Sequence, residues 1–141
     1  MRFADLSQEA TQALWNKWRC MIQQLLEEFN FDVFQGRGNV CENSYGETSY
    51  LLLETKNGCL YVFPLTGDEL VFKVYRSKIE KEHLSTKSKV SIADDGNLVG
   101  AMRVKIGLFE KDYAHVKYYS RECLAEVLRQ TYHDYWMSLL V

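Results

Sequence analysis

Residues 47–76 read ETSYLLLETKNGCLYVFPLTGDELVFKVYR, and this stretch decides the fold. Three β-rich runs, Tyr50 to Thr55, Leu60 to Leu65 and Leu70 to Arg76, are separated by Asn57-Gly58 and by Thr66-Gly67-Asp68. Asn-Gly between two such runs is a strong hairpin signal, because both residues tolerate the positive φ of a type I′ turn. The stretch therefore predicts a three-stranded antiparallel meander. A two-residue loop at Asn57-Gly58 predicts that Lys56 faces Cys59, Glu54 faces Tyr61 and Leu52 faces Phe63. Alternation sorts the hairpin into two faces. Leu51, Leu53, Leu60 and Val62 make an aliphatic one. Tyr50, Leu52, Tyr61, Phe63 and Leu65 make the other, with Glu54 and Lys56 near the turn. Both faces are too apolar for water, so each needs cover. Pro64 has no amide to donate and belongs at an edge or at the end of pairing.

Outward from the meander, the N-terminal side predicts a long helix. Ser7 is a candidate N-cap, and Leu14, Trp18, Met21, Ile22, Leu25 and Phe29 recur at helical spacing, widened by Trp15 and Leu26. The helix is expected from about Gln8 to Phe29, with Asn30 ending it in a left-handed conformation. Phe31 to Gln35 reads as a short strand. Residues 36–47 are rich in Gly, Asn and Ser and read as an irregular loop, the best local candidate for a binding loop.

On the C-terminal side, Ser77-Lys78-Ile79-Glu80 fits a capping box before a short helix reaching about Leu84. Val90 to Ala93 and Leu98 to Ile106 read as a second hairpin, the longer strand keeping one wet face through Arg103 and Lys105. Tyr113 to Tyr119 is ambiguous. Ser120 caps a last helix whose stripe is Leu124, Val127, Leu128, Thr131, Tyr135 and Leu139. The expected fold is α+β: a mainly antiparallel sheet of about five strands, a three-stranded meander plus a second hairpin, packed by long N- and C-terminal helices.

A chain of 141 residues reads as one domain spanning 1–141, and its 47% hydrophobic and 26% charged content is that of a globular protein. No apolar run approaches the roughly 20 residues a membrane helix needs, and Met1-Arg2-Phe3-Ala4-Asp5 begins no signal peptide, so the cytoplasm is the expected location and no membrane is expected as a partner. Cys20, Cys41, Cys59 and Cys123 are far apart and read as reduced thiols rather than a disulfide framework. A formal net charge of −2 argues against a generic polyanion binder. Between Leu70 and Lys105, however, eight basic residues stand against four acidic ones.

Chemistry-bearing motifs are few. Glu54-Thr55-Lys56 resembles the E-x-K half of the PD-(D/E)xK nuclease signature, in which a carboxylate holds a divalent metal and the lysine orients the attacking water. No P-D precedes it at the family's spacing, and the hairpin after Lys56 is unlike the crossover of a parallel sheet. Glu28 and Asp32 would be the additional acids. The plain reading is a solvated hairpin tip. Gly36-Arg37-Gly38 lacks the helix that would aim amides at a phosphate. His83, His115 and His133 have no i, i+4 partner of metal-ligand type, and nothing places a base beside Cys123. No catalytic residue, cofactor or metal is therefore expected.

Two surfaces remain. The aromatic sheet face (Tyr50, Tyr61, Phe63) and the terminal helix (Tyr132, Tyr135, Trp136) are the expected contacts for a protein partner or a second copy. Lys73, Arg76, Lys78 and Lys81 could instead form one basic patch for nucleic acid or an acidic partner, by phosphate contact with stacking on Tyr75. In element order alone the chain resembles the small chaperones of type III secretion systems, which are dimeric and clamp extended effector segments. Its aromatic content and basic middle depart from that family's acidic character, and no sequence motif is shared. The leading expectation is a small non-enzymatic protein-binding module of chaperone, inhibitor or adaptor type. Nucleic-acid binding is the alternative, and a metal-dependent nuclease around Glu54 and Lys56 comes third.

Overall fold

The computed structural model describes residues 3–45, 48–64, 69–78, 97–105 and 121–140. Its architecture is α+β. Helix α1 (Phe3–Phe34) precedes five strands, β1 (Asn39–Tyr45), β2 (Thr48–Thr55), β3 (Gly58–Pro64), β4 (Glu69–Tyr75) and β5 (Leu98–Lys105). Helix α2 (Arg121–Thr131) follows and runs on through a π turn (Tyr132–Trp136) and a 3-10 turn (Met137–Leu140). The strands lie in sequence order, β1-β2-β3-β4-β5, each antiparallel to its neighbour.

The expected meander is β2–β4, and its two faces sort as alternation requires. Leu51, Leu53, Leu60 and Val62 join Leu70, Phe72, Val74 and Val104 under the helices, against Trp15, Trp18, Ile22, Leu25, Leu26 and Phe29 of α1 and Leu124, Val127 and Leu128 of α2. Tyr50, Leu52, Cys59, Tyr61, Phe63, Val71 and Tyr75 form a second cluster on the opposite face. Pro64 is the last residue of β3.

Pairing differs from expectation by two residues: Glu54 faces Cys59 and Leu52 faces Tyr61. The turn is centred on Lys56-Asn57, one residue early. Thr55 fixes it, because its hydroxyl donates to the Gly58 carbonyl (2.8 Å) and accepts from the Asn57 amide (3.3 Å). Gly58 rather than Asn57 takes the unusual backbone, at φ +142. A slip of one residue would have exchanged the faces; a shift of two leaves them intact.

Two other expectations are corrected. Asn30 does not end α1, and Phe31 to Gln35 is not a strand, since the helix continues to Phe34. The Asn30 side-chain amide instead clasps Gly38, donating to its carbonyl (3.1 Å) and accepting from its amide (2.8 Å). The chain reverses at Gln35 (φ 54) and Gly36 (φ 75), where the Gly36 amide bonds the Asn30 carbonyl at 3.0 Å. A side chain at Gly38 would stand 2.6 Å from Asn30 Oδ1, so the clasp needs glycine there. Most of the stretch expected as a loop, 36–47, is strand β1. The short helix after Lys78, Val90 to Ala93, Tyr113 to Tyr119 and the Ser120 cap lie outside the described residues.

In α2 the buried positions are Leu124, Val127, Leu128 and Thr131, then Trp136. The last step is five residues, which an α-helix cannot keep on one face. The π turn absorbs it, closing with the Met137 amide bonded to the Tyr132 carbonyl. Thr131 prepares the change by donating its hydroxyl to the Val127 carbonyl (2.7 Å), a back-bond that bends helices.

Candidate functional site

The aromatic face is built by neighbouring strands. Tyr61 stacks on Phe63 at 5.8 Å between ring centres, Tyr50 lies 5.0 Å from Phe63, and Tyr75 meets Tyr61 edge-on at 5.3 Å. These rings are inside the chain. Tyr50, Tyr61 and Phe63 are 4%, 1% and 3% exposed, so the face expected to meet a partner already has its cover within the chain. Burial pushes the Tyr50 hydroxyl above its usual pKa, against the lowering effect of its hydrogen bond with Asn43.

The same face carries Cys59, whose thiol is pushed up to about 11, first by burial and then by the nearby Glu54 carboxylate. A thiol with a raised pKa holds its proton in the folded chain, so it is a poor nucleophile at neutral pH. Cys20, by contrast, is exposed on α1. At pH 8 a maleimide is expected to modify Cys20 rapidly and Cys59 only on unfolding, and mass spectrometry of timed digests reads the difference. Equal rates would contradict the burial of this face. The linked stability is complete below the ordinary thiol value near 9 and is lost as the pH rises through about 11.

The C-terminal segment forms the second candidate surface. Its aromatic residues mostly point inward. Phe29 and Phe34 of α1 and Tyr132 and Trp136 form one four-ring cluster, with centroids between 5.0 and 6.4 Å. Trp136 is fully buried, and its indole N–H donates to the Asn57 carbonyl at the hairpin tip (3.3 Å). Its ring fills the space above Gly58, where an added Cβ would come 2.5 Å from Nε1. The Tyr135 ring covers Gly100 of β5 in the same way, within 2.1 Å of where a Cβ would stand. Tyr132 and Tyr135 are half-buried, and Met137 and Leu140 are exposed. Sequence reasoning chose Trp136 and passed over Met137 and Leu140, because an unbroken α-helical period does not anticipate the π turn.

Of the basic residues expected to form a patch, Lys73, Arg76 and Lys78 are among the described residues. Lys73 is half-buried on the aromatic face, directly across from Tyr61. Arg76 and Lys78 are exposed beyond the end of β4, and Lys78 reaches Glu54 at 3.9 Å. Lys81 lies outside the described residues. Arg103, exposed on β5, shares the face of Lys73, since it pairs with Val71.

Glu54 pairs with Lys78 and Lys56 is exposed at the turn. Glu28 is tied to Arg121 on the helix side of the sheet, and Asp32 is exposed on α1. Among the described residues, no group of three or more His, Cys, Asp or Glu side chains is placed to hold a metal ion. No helix among them is long and apolar enough to cross a membrane.

No protein-family model, curated protein or solved structure matches this chain.

Proposed function

We propose that the chain is a small non-enzymatic protein-binding module, of chaperone, inhibitor or adaptor type, that meets its partner through the outer side of the C-terminal segment. The supporting observation is where apolar side chains remain in solvent. Phe31 (73%), Met137 (46%) and Leu140 (37%) are the exposed large hydrophobic residues among those described. Two of them lie within four residues after the buried Trp136. The third lies between Phe29 and Phe34, which pack on that same segment. Met137 and Leu140 stand three residues apart in one 3-10 turn and so share a side, and adjoining exposed apolar residues mark interaction surfaces more often than scattered ones do.

The test places a photo-crosslinking residue at position 137 in the cell, with position 126 as an exposed control on α2. Adducts are expected at 137 alone and are expected to vanish when Phe31 and Leu140 are both changed to serine. The melting temperature should stay near that of the parent chain, because exposed substitutions usually cost no more than about 0.5 kcal/mol. Equal adducts at 126 and 137 would sink the reading. Nucleic-acid binding is the alternative, through Lys73, Arg76, Lys78 and Lys81; it requires binding that weakens steeply with salt.

A further inference from the structure

The chain has six asparagines, and glycine follows Asn57 alone. The other five are restrained in different ways. Asn16 lies inside α1, whose main-chain ladder holds the amide that follows it. Asn30 spends its side-chain amide on Gly38, Asn43 on the Cys41 sulfur and Asn97 on Ser77. Asn39 is exposed, but it is followed by Val40, whose branched side chain crowds the next amide. Asn57 is exposed at the hairpin tip, and the bonds that hold it go to its main chain. Its amide donates to the Thr55 hydroxyl (3.3 Å) and its carbonyl accepts from the Trp136 indole (3.3 Å). Gly58 is fixed by the fold, because its φ is +142 and a Cβ there would stand 2.5 Å from Trp136 Nε1. An exposed asparagine with an uncrowded neighbour is therefore built into the tip.

We propose that Asn57-Gly58 is a self-modification site, at which the Asn57 side-chain amide is exchanged for a carboxylate with water as co-reactant, and that one of the two products loosens the hold of Trp136 on the tip. The short asparagine side chain reaches neighbouring backbone groups. The Gly58 amide nitrogen gives its proton to hydroxide and attacks Asn57 Cγ. An N–Cγ bond forms, the Cγ–Nδ2 bond breaks, and the departing group takes a proton from water and leaves as ammonia. Water then adds to one of the two carbonyls of the resulting five-membered ring and breaks its bond to nitrogen. Opening at Cγ restores the main chain and leaves an aspartate. Opening at the main-chain carbonyl leaves an isoaspartate, in which the chain runs through the side-chain carbons. The tip is then longer by one carbon, and the carbonyl that Trp136 holds has become a free carboxylate.

The full chain is held folded at pH 8 in water carrying heavy oxygen and then digested in ordinary water, and the peptides containing positions 39 and 57 are weighed. Heavy oxygen marks only the conversions that took place in the intact chain. Label is expected at position 57 at least about tenfold faster than at Asn39, the ratio for a barrier lower by about 1.4 kcal/mol. Asn57→Gln, whose ring would have six members, is expected to lose this label while its melting temperature stays that of the parent. Equal labelling at 39 and 57, label that persists in Asn57→Gln, or labelling at 57 only after urea unfolds the chain would overturn the site. The two products separate by chromatography. In urea the isoaspartate form is expected to show a folded-to-unfolded ratio about five- to thirtyfold below that of the aspartate form. Equal ratios would overturn the link to Trp136.

Discussion

Trp136→Ala should cost about 3–5 kcal/mol, the range for deleting a large buried aromatic ring. That is a large share of the roughly 5–15 kcal/mol that holds a domain together. The ring is fully buried, packs against Phe29 and Phe34, and donates the hydrogen bond that closes the hairpin tip at Asn57. Urea denaturation followed by circular dichroism measures the loss. Met137→Ala is the control, one residue along and exposed, and should change stability by no more than about 0.5 kcal/mol. If the two variants were equally stable, the inward turn of Trp136 would be wrong.

Gly58→Ala is the second large effect, and it has two separable causes. The backbone at φ +142 is closed to side chains, at a cost of about 1–3 kcal/mol. The new methyl would also meet the Trp136 Nε1 at 2.5 Å and Leu139 Cδ1 at 3.1 Å, and overpacking of this kind costs about 1–3 kcal/mol. Removing the ring removes only its own share of the second cause and leaves the Leu139 contact and the backbone cost in place. In a Trp136→Ala background, then, the glycine substitution should cost less than in the parent, with a coupling of about 1–3 kcal/mol in a double-mutant cycle. Strict additivity would mean that the ring does not sit over Gly58.

The fold was legible where one local rule decided it. Alternation assigned Leu51, Leu53, Leu60 and Val62 to one face and Tyr50, Leu52, Tyr61 and Phe63 to the other, and these are the two clusters found. Spacing found both helices for the same reason. Reading failed where a specific side-chain bond or pairing outweighed the local preference. Asn57-Gly58 satisfies the rule for a type I′ turn, yet the Thr55 hydroxyl moves the turn back one residue. Asn30 is a good helix stop, but its amide is taken by Gly38, and Phe34 gains ring contacts by staying helical. The Asn- and Ser-rich run from Asn39 becomes a strand because β2 offers it a ladder, which propensity does not register.

The candidate site was less legible, and for a physical reason. Counting aromatic residues on a face measures how much cover the face needs, not whether a partner supplies it. Tyr50, Tyr61 and Phe63 demanded cover and have it within the chain. The side chains left in solvent, Met137 and Leu140, owe their position to one added residue in a helical turn.

The strand order also has a bearing on how the protein is made. Among the described strands each pairs with the one before it in sequence, and β1 to β4 can close hairpin by hairpin from nearby residues, the kind of contact that assembles fastest. The helical partners come from far along the chain: the Trp136 bond to Asn57 spans 79 residues, and the Arg121 bond to Glu28 spans 93. During synthesis, which proceeds from the N-terminus at about 5–20 residues per second, the tip at Lys56-Asn57 must wait several seconds for its indole. Until then the aliphatic side of the young sheet lacks the cover that Trp136 completes, and that interval is when a nascent chain is most exposed to aggregation.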